Sequence, residues 1–134
     1  MTRREIREGV FLLLFQNEIN NSDISETADS CVEAFDMELS DEMKSLAEKI
    51  SAKYTELDEI IGKYSETRAV SRISKINKTI LRLAIYEISF CPNVPDAVAV
   101  NEAVELSKKY AEKKDGGFIN AVLGSFIKEK NDKQ

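Results

Sequence analysis

The chain has 134 residues, 43% of them hydrophobic, with five glycines, two prolines and no histidine or tryptophan. That length suits one domain spanning residues 1–134, the apolar fraction excludes a disordered chain, and so few turn formers favour long helices with short joints. The formal net charge of −5 taken alone argues against nucleic acid, but the charge is unevenly placed. Residues 1–22 hold three basic and three acidic side chains, residues 23–67 hold 4 and 13, and residues 68–134 hold 12 and 8. A basic face in the last half and an acidic face in the middle are both available to partners.

In chain order, the first helix is expected from Arg3 to about Glu18, ended by Asn20, Asn21 and Ser22. Its "VFLLLF" puts bulky apolar groups on every side, the mark of a helix surrounded by others, so it is expected to be central. Arg3, Arg4 and Arg7 open this helix within about 100° of its wheel. Cations there oppose the helix dipole, an arrangement no fold requires. The patch is an anion-binding site or a solubilising end. A second helix is expected to start after Ser25, with Glu26 in its first turn, and to fade near Glu38.

A third helix is expected to start at a Ser40 cap, with Asp41 and Glu42 at its positive end. Met43, Leu46, Ala47, Ile50, Tyr54, Leu57, Ile60 and Ile61 recur at three and four, which predicts one buried stripe running to about Tyr64. A short helical turn over Val70–Ile73 leads into the long helix containing "TILRLAIYEISF", which Pro92 and Pro95 must end.

On the wheel of that long helix, Ile76, Ile80, Leu83 and Ala84 share one side, widened by Leu81, Ile85 and Ile88. Lys75, Lys78, Arg82 and Tyr86 cluster opposite. This stripe suits phosphates along a strand with Tyr86 beside them, or it is a solvated face whose stems cover apolar surface. Glu87 falls inside the apolar arc and needs a partner, because an unpaired buried carboxylate costs several kcal/mol. A helix through "DAVAVNEAVELSKKYA" follows, then a "KKDGG" loop, with Asp115 as candidate N-cap of the last helix. Phe118 stands beside two glycines and shares a face with Val122 and Phe126, so it is core or a stacking platform. Asn120 lies on the far side of that helix, able to hydrogen-bond a base edge or solvent.

No useful strand alternation occurs, and the class is all-α, about seven helices. Cys31 and Cys91 are far apart, without metal spacing, and read as reduced thiols of a cytoplasmic chain. No signal peptide or membrane-length apolar run stands out. Phosphate-binding glycine loops, dinucleotide fingerprints, nucleophile elbows and metal motifs are missing too, so the residues point to no enzyme, metal or cofactor.

"TRREIREGVFLLLFQ", "INKTILRLAIYEI", "VPDAVAVNEAVELSKKYAEK" and "GGFINAVL", in that order, resemble the NusB family of transcription antitermination factors. The likeness covers the first turns and most of the last third, and it is weak from about Ile19 to Val70. The resemblance implies two small helical bundles packed around the first helix. It implies no catalysis, and binding to single-stranded boxA-type RNA together with the ribosomal small-subunit protein NusE, within RNA polymerase antitermination complexes. By position it implies RNA contacts at Arg3, Arg4, Arg7, Phe118 and Asn120, and a protein-partner contact at Phe15. The stripe Lys75, Lys78 and Arg82 is expected to join the RNA contacts. Phe15 stands where many relatives have tyrosine, Ala121 where they often have glycine, and Glu5 and Ile6 interrupt the arginine run. Two other readings stay open: a helical scaffold that self-associates, for instance as a homodimer, and an accessory module of an RNA-modifying enzyme.

Overall fold

The structure is a computed structural model that describes residues 1–35 and 38–133. Among these residues there are seven α-helices and no strand: α1 Arg3–Asn20, α2 Ile24–Phe35, α3 Asp41–Ser51, α4 Tyr54–Tyr64, α5 Lys75–Phe90, α6 Asp96–Tyr110 and α7 Asp115–Asp132. A single 3₁₀ turn, Val70–Arg72, precedes α5. The chain divides into two compact units, Met1–Lys53 and Tyr54–Gln134.

In the first unit α1 packs on α2 and α3. Its start is a capping box: Glu5 N–H donates to Thr2 Oγ1 at 3.1 Å, and Thr2 N–H donates to Glu5 Oε1 at 3.3 Å. Val10, Phe11, Leu13 and Leu14 are buried, whereas Leu12 and Phe15 are half-buried. At its end Asn21 takes the left-handed conformation, φ 54°, which asparagine tolerates. The Asn17 amide then donates to Ser22 O and to Thr27 Oγ1, tying this end of α1 to the start of α2. Helix α2 begins two residues earlier than expected, because Asp23 Oδ1 accepts from Glu26 N–H at 2.8 Å and caps it. The expected fade near Glu38 passes through Asp36 and Met37, which lie outside the described residues.

Ser40 caps α3 as expected, accepting from Met43 N–H at 3.2 Å. Met43, Ala47 and Ile50 bury its stripe. Gly9 lets Met43 lie directly on α1, since a Cβ there would meet Met43 Sδ at 2.5 Å. The expected single helix from Ser40 to Tyr64 is in fact two. Lys53 N–H turns back to Ile50 O at 2.9 Å, closing α3, and α4 starts afresh at Tyr54. The stripe is shared between two cores: α3 packs on α1 and α2, α4 on α5 and α7.

In the second unit α5 has α4, α6 and α7 as neighbours and is buried without interruption from Thr79 to Ile88. Ser74 caps it, accepting from Asn77 N–H at 3.1 Å. Leu57 and Ile61 of α4, Ala99, Ala103 and Leu106 of α6, and Ile119, Val122 and Leu123 of α7 complete the core. Each such leucine or isoleucine stabilises the fold by about 1.5–3 kcal/mol. Lys130 of α7 donates to Asp96 Oδ1 at 3.2 Å and Ile88 O at 3.4 Å, joining the start of α6 to the end of α5. Glu87 is buried, 4% exposed, and is engaged rather than orphaned. Among the described residues the buried side-chain polar atom without a partner is Asn77 Oδ1.

Candidate nucleic-acid interface

The first unit carries its cations at the start of α1. Arg3 and Arg4 are exposed and Arg7 is half-buried. Arg3 Nη1 lies 2.6 Å from Glu42 Oε1 in the first turn of α3, and both side chains are more than half exposed. Such an exposed pair contributes little and exchanges readily for another anion. Arg4 and Arg7 also have partners within the protein. The patch at the helix start is therefore already partly answered by the fold's own side chains, and a phosphate must compete with them.

Further along α1, the Phe15 ring stacks on the buried Phe11 at 6.0 Å between centroids. Ile19, one turn beyond Phe15, is 49% exposed. Leu12, Phe15 and Ile19 thus form an apolar edge legible in the three- and four-residue spacing, of which the sequence expectations named only Phe15.

The second unit corrects the basic stripe on α5. Lys75 is exposed and Lys78 half-buried, but Arg82 is 5% exposed. The Arg82 guanidinium donates from Nε to Asp58 Oδ1 and from Nη2 to Asp58 Oδ2, both at 2.8 Å, and its carbon lies 3.9 Å from the Tyr54 ring centroid. Arg82 therefore clamps α4 to α5. Tyr86 is buried as well, its ring 5.1 Å from that of Phe90, and burial, with Cys91 nearby, pushes its phenol up. The stripe ends at Lys78 because the three helices packed on α5 bury it from Thr79 to Ile88, leaving only its two ends exposed.

At the start of α7, Asp115 is not the N-cap. It is the first helical residue, nearly buried, and its carboxylate accepts from Glu112 N–H at 3.1 Å. The N-cap is Lys114, whose side chain accepts nothing, so no side chain caps the N–H groups of this first turn. Gly117 and Asn120 are exposed, and a Cβ at Gly117 would meet nothing within 4 Å. Phe118 is half-buried between the two roles expected of it. Val122 beneath it is core, while Phe126 pairs with Tyr64 at 5.7 Å. Over the Phe118 ring, 4.3 Å from its centroid, lies the guanidinium of Arg68. Arg68 was not among the expected site residues. Its only trace in the sequence is that "TRAVSR" opens the basic half of the chain.

Elsewhere, Cys31 is buried and Cys91 half-buried, both as free thiols. No helix among the described residues is long and apolar enough to cross a membrane.

Two helical units, one with arginines at a helix start and one with an arginine-covered aromatic at another, define an all-α protein with cations at its surface. The chain belongs to the NusB family, whose sequence profile matches residues 4–128. A transcription antitermination protein NusB from Acetivibrio thermocellus is 38% identical over 132 residues, covering 97% of this chain and 91% of the relative. The NusB crystal structure from T. maritima superposes with a TM-score of 0.82 at 28% identity, covering 96% of this chain and 92% of that one. A crystal structure of the antitermination factors NusB and NusE in complex with double-stranded RNA superposes at 0.81 and 27% identity, covering 95% and 96%.

Proposed function

We propose that this protein is a transcription antitermination factor without catalysis of its own. It binds boxA-type RNA together with the ribosomal protein NusE, joins the transcribing RNA polymerase in the cytoplasm and promotes ribosomal RNA transcription. The observation that carries this reading is the family match across residues 4–128, nearly the full set of helices. The relative solved with NusE and RNA supports both partners.

Arg3, Arg4 and Arg7 in the first unit, and Lys75 and Lys78 in the second, supply phosphate contacts. These fix register without reading sequence. Sequence is read where bases are unstacked, which favours a single strand over a duplex whose deep groove hides its base edges. Asn120 is the edge reader, with Phe118 beside it. Phe15, extended by Leu12 and Ile19, is the apolar anchor for the protein partner. Arg82 takes no part in RNA contact and holds α5 in place.

The test is a titration with a boxA-type single strand, a scrambled strand and a duplex, each with and without the ribosomal partner. The expected result is preference for the boxA strand, strengthened by the partner. Equal affinity for boxA and scrambled strands in both conditions would end this reading. Turnover of a methyl donor by the isolated chain would overturn the assignment as a non-enzyme.

A further inference from the structure

Arg68 follows α4 in the short link to the Val70–Arg72 turn. Its backbone is held: Ser65, 6% exposed, donates through Oγ to Arg68 O at 2.7 Å. Its side chain remains half-exposed and lies over Phe118, 4.3 Å from guanidinium carbon to ring centroid. Among the described residues no carboxylate pairs with this guanidinium, in a chain with 24 acidic side chains. Its charge is therefore still available to a ligand.

Phe118 is half-buried, with Ile119 and Val122 of the same helix in the core. A guanidinium already lies over this ring, so a base cannot stack on the face it covers. The guanidinium of the half-exposed Arg68 side chain is a second planar group at the same corner. Beside it the surface is open at Gly117, and Asn120 stands one turn on.

We propose that an unpaired RNA base stacks on the Arg68 guanidinium, with the Phe118 ring as the layer behind it. Guanidinium planes stack on bases as aromatic rings do, and a cation between two π faces is attracted by both. Phe118 then acts by positioning Arg68, and the uncancelled charge of Arg68 also draws the adjoining phosphate. The inference rests on the RNA-binding reading above and names the group that meets the base.

The experiment measures affinity for the boxA-type strand, its scramble and a duplex at several salt concentrations, for the wild type, Arg68→Ala, Arg68→Lys, Phe118→Ala and the double alanine variant. Thermal melts confirm that each variant is folded. Arg68→Ala is expected to weaken single-strand binding about 5- to 150-fold, the range for losing one stacked base. Arg68→Lys keeps the charge and the salt slope but not the plane, and is expected to lose most of the same affinity. The double variant should be little worse than the weaker single one, because the two residues form one stack. Duplex affinity should barely change. Tighter or unchanged binding by Arg68→Ala would mean that Arg68 only covers Phe118, and would overturn the proposal. Full rescue by lysine would overturn the stack in favour of simple charge. Loss of boxA preference in the wild type would instead sink the functional reading, and the Arg68 series on any single strand would still decide the stack. A wild type that binds no RNA would end both.

Discussion

Arg82 and Arg68 both lie over aromatic rings, 3.9 Å from Tyr54 and 4.3 Å from Phe118. One carboxylate separates their fates. Asp58 takes two nitrogens of Arg82, whose side chain is 6% exposed. No carboxylate among the described residues takes Arg68. A ring sets where a guanidinium lies, and a carboxylate decides whether its charge remains for a partner. Arg82 therefore belongs to the architecture, and Arg68 to the surface.

The sharpest way to break this contrast is to truncate Arg82. Arg82→Ala leaves Asp58 without its partner and should lower unfolding stability by about 2–3 kcal/mol, since Asp58 keeps some solvent contact. Urea denaturation would read the loss, and equal losses for Arg82→Ala and Arg68→Ala would erase the distinction. Next in size, Phe118→Ala should weaken binding of an unpaired RNA by about 1–3 kcal/mol. If the variant unfolds at the binding temperature instead, Phe118 is core rather than the layer that positions Arg68. Arg4→Ala is a smaller change: affinity should fall by about 1 kcal/mol and the salt slope by about one unit. An unchanged slope would remove Arg4 from the phosphate contacts.

The smallest effect concerns a carboxylate that is tied down as Asp58 is, but at the surface. Glu129 accepts from Lys63 Nζ at 2.8 Å and Tyr64 Oη at 2.6 Å, with Lys133 Nζ 3.0 Å away. These bonds, that from Lys63 foremost, lower its carboxyl to about 2. Because the folded value lies below the ordinary one, the contribution is fully present above the usual carboxylate range and is lost as pH falls toward 2. Glu129→Gln should thus be slightly less stable than the wild type at neutral pH, with the gap closing in acid. A gap that persists at pH 2 would contradict the assignment.

Much of the fold was legible because the signals are local. The Ser40 cap, the two prolines after α5 and the apolar stripes each follow from residue type and spacing. The Thr2–Glu5 capping box was equally legible, and it gives the arginine-rich helix start a structural account that the dipole argument left out. The break at Ala52–Lys53 was not legible. Nothing in "ISAKY" ends a helix, and the stripe runs straight through it. It breaks because its two halves serve different cores. Asp115 shows the same limit on a smaller scale: an acidic residue before two glycines suits an N-cap, but its carboxylate turns back to the Glu112 amide.

The sequence by itself determined the all-helical class, most helix limits, the arginines at the head of α1 and the family likeness. All of these depend on order along the chain and on periods of three and four. Only the tertiary structure decided which cations are available. A helical wheel assigns Arg82 and Lys78 to one side, but it carries no information about which neighbour lies there or what charge that neighbour brings. Asp58 is 24 residues away from Arg82, and Phe118 is 50 positions from Arg68. Pairings at such separations are fixed by packing, and packing settles which guanidinium is neutralised and which is left to meet a ligand.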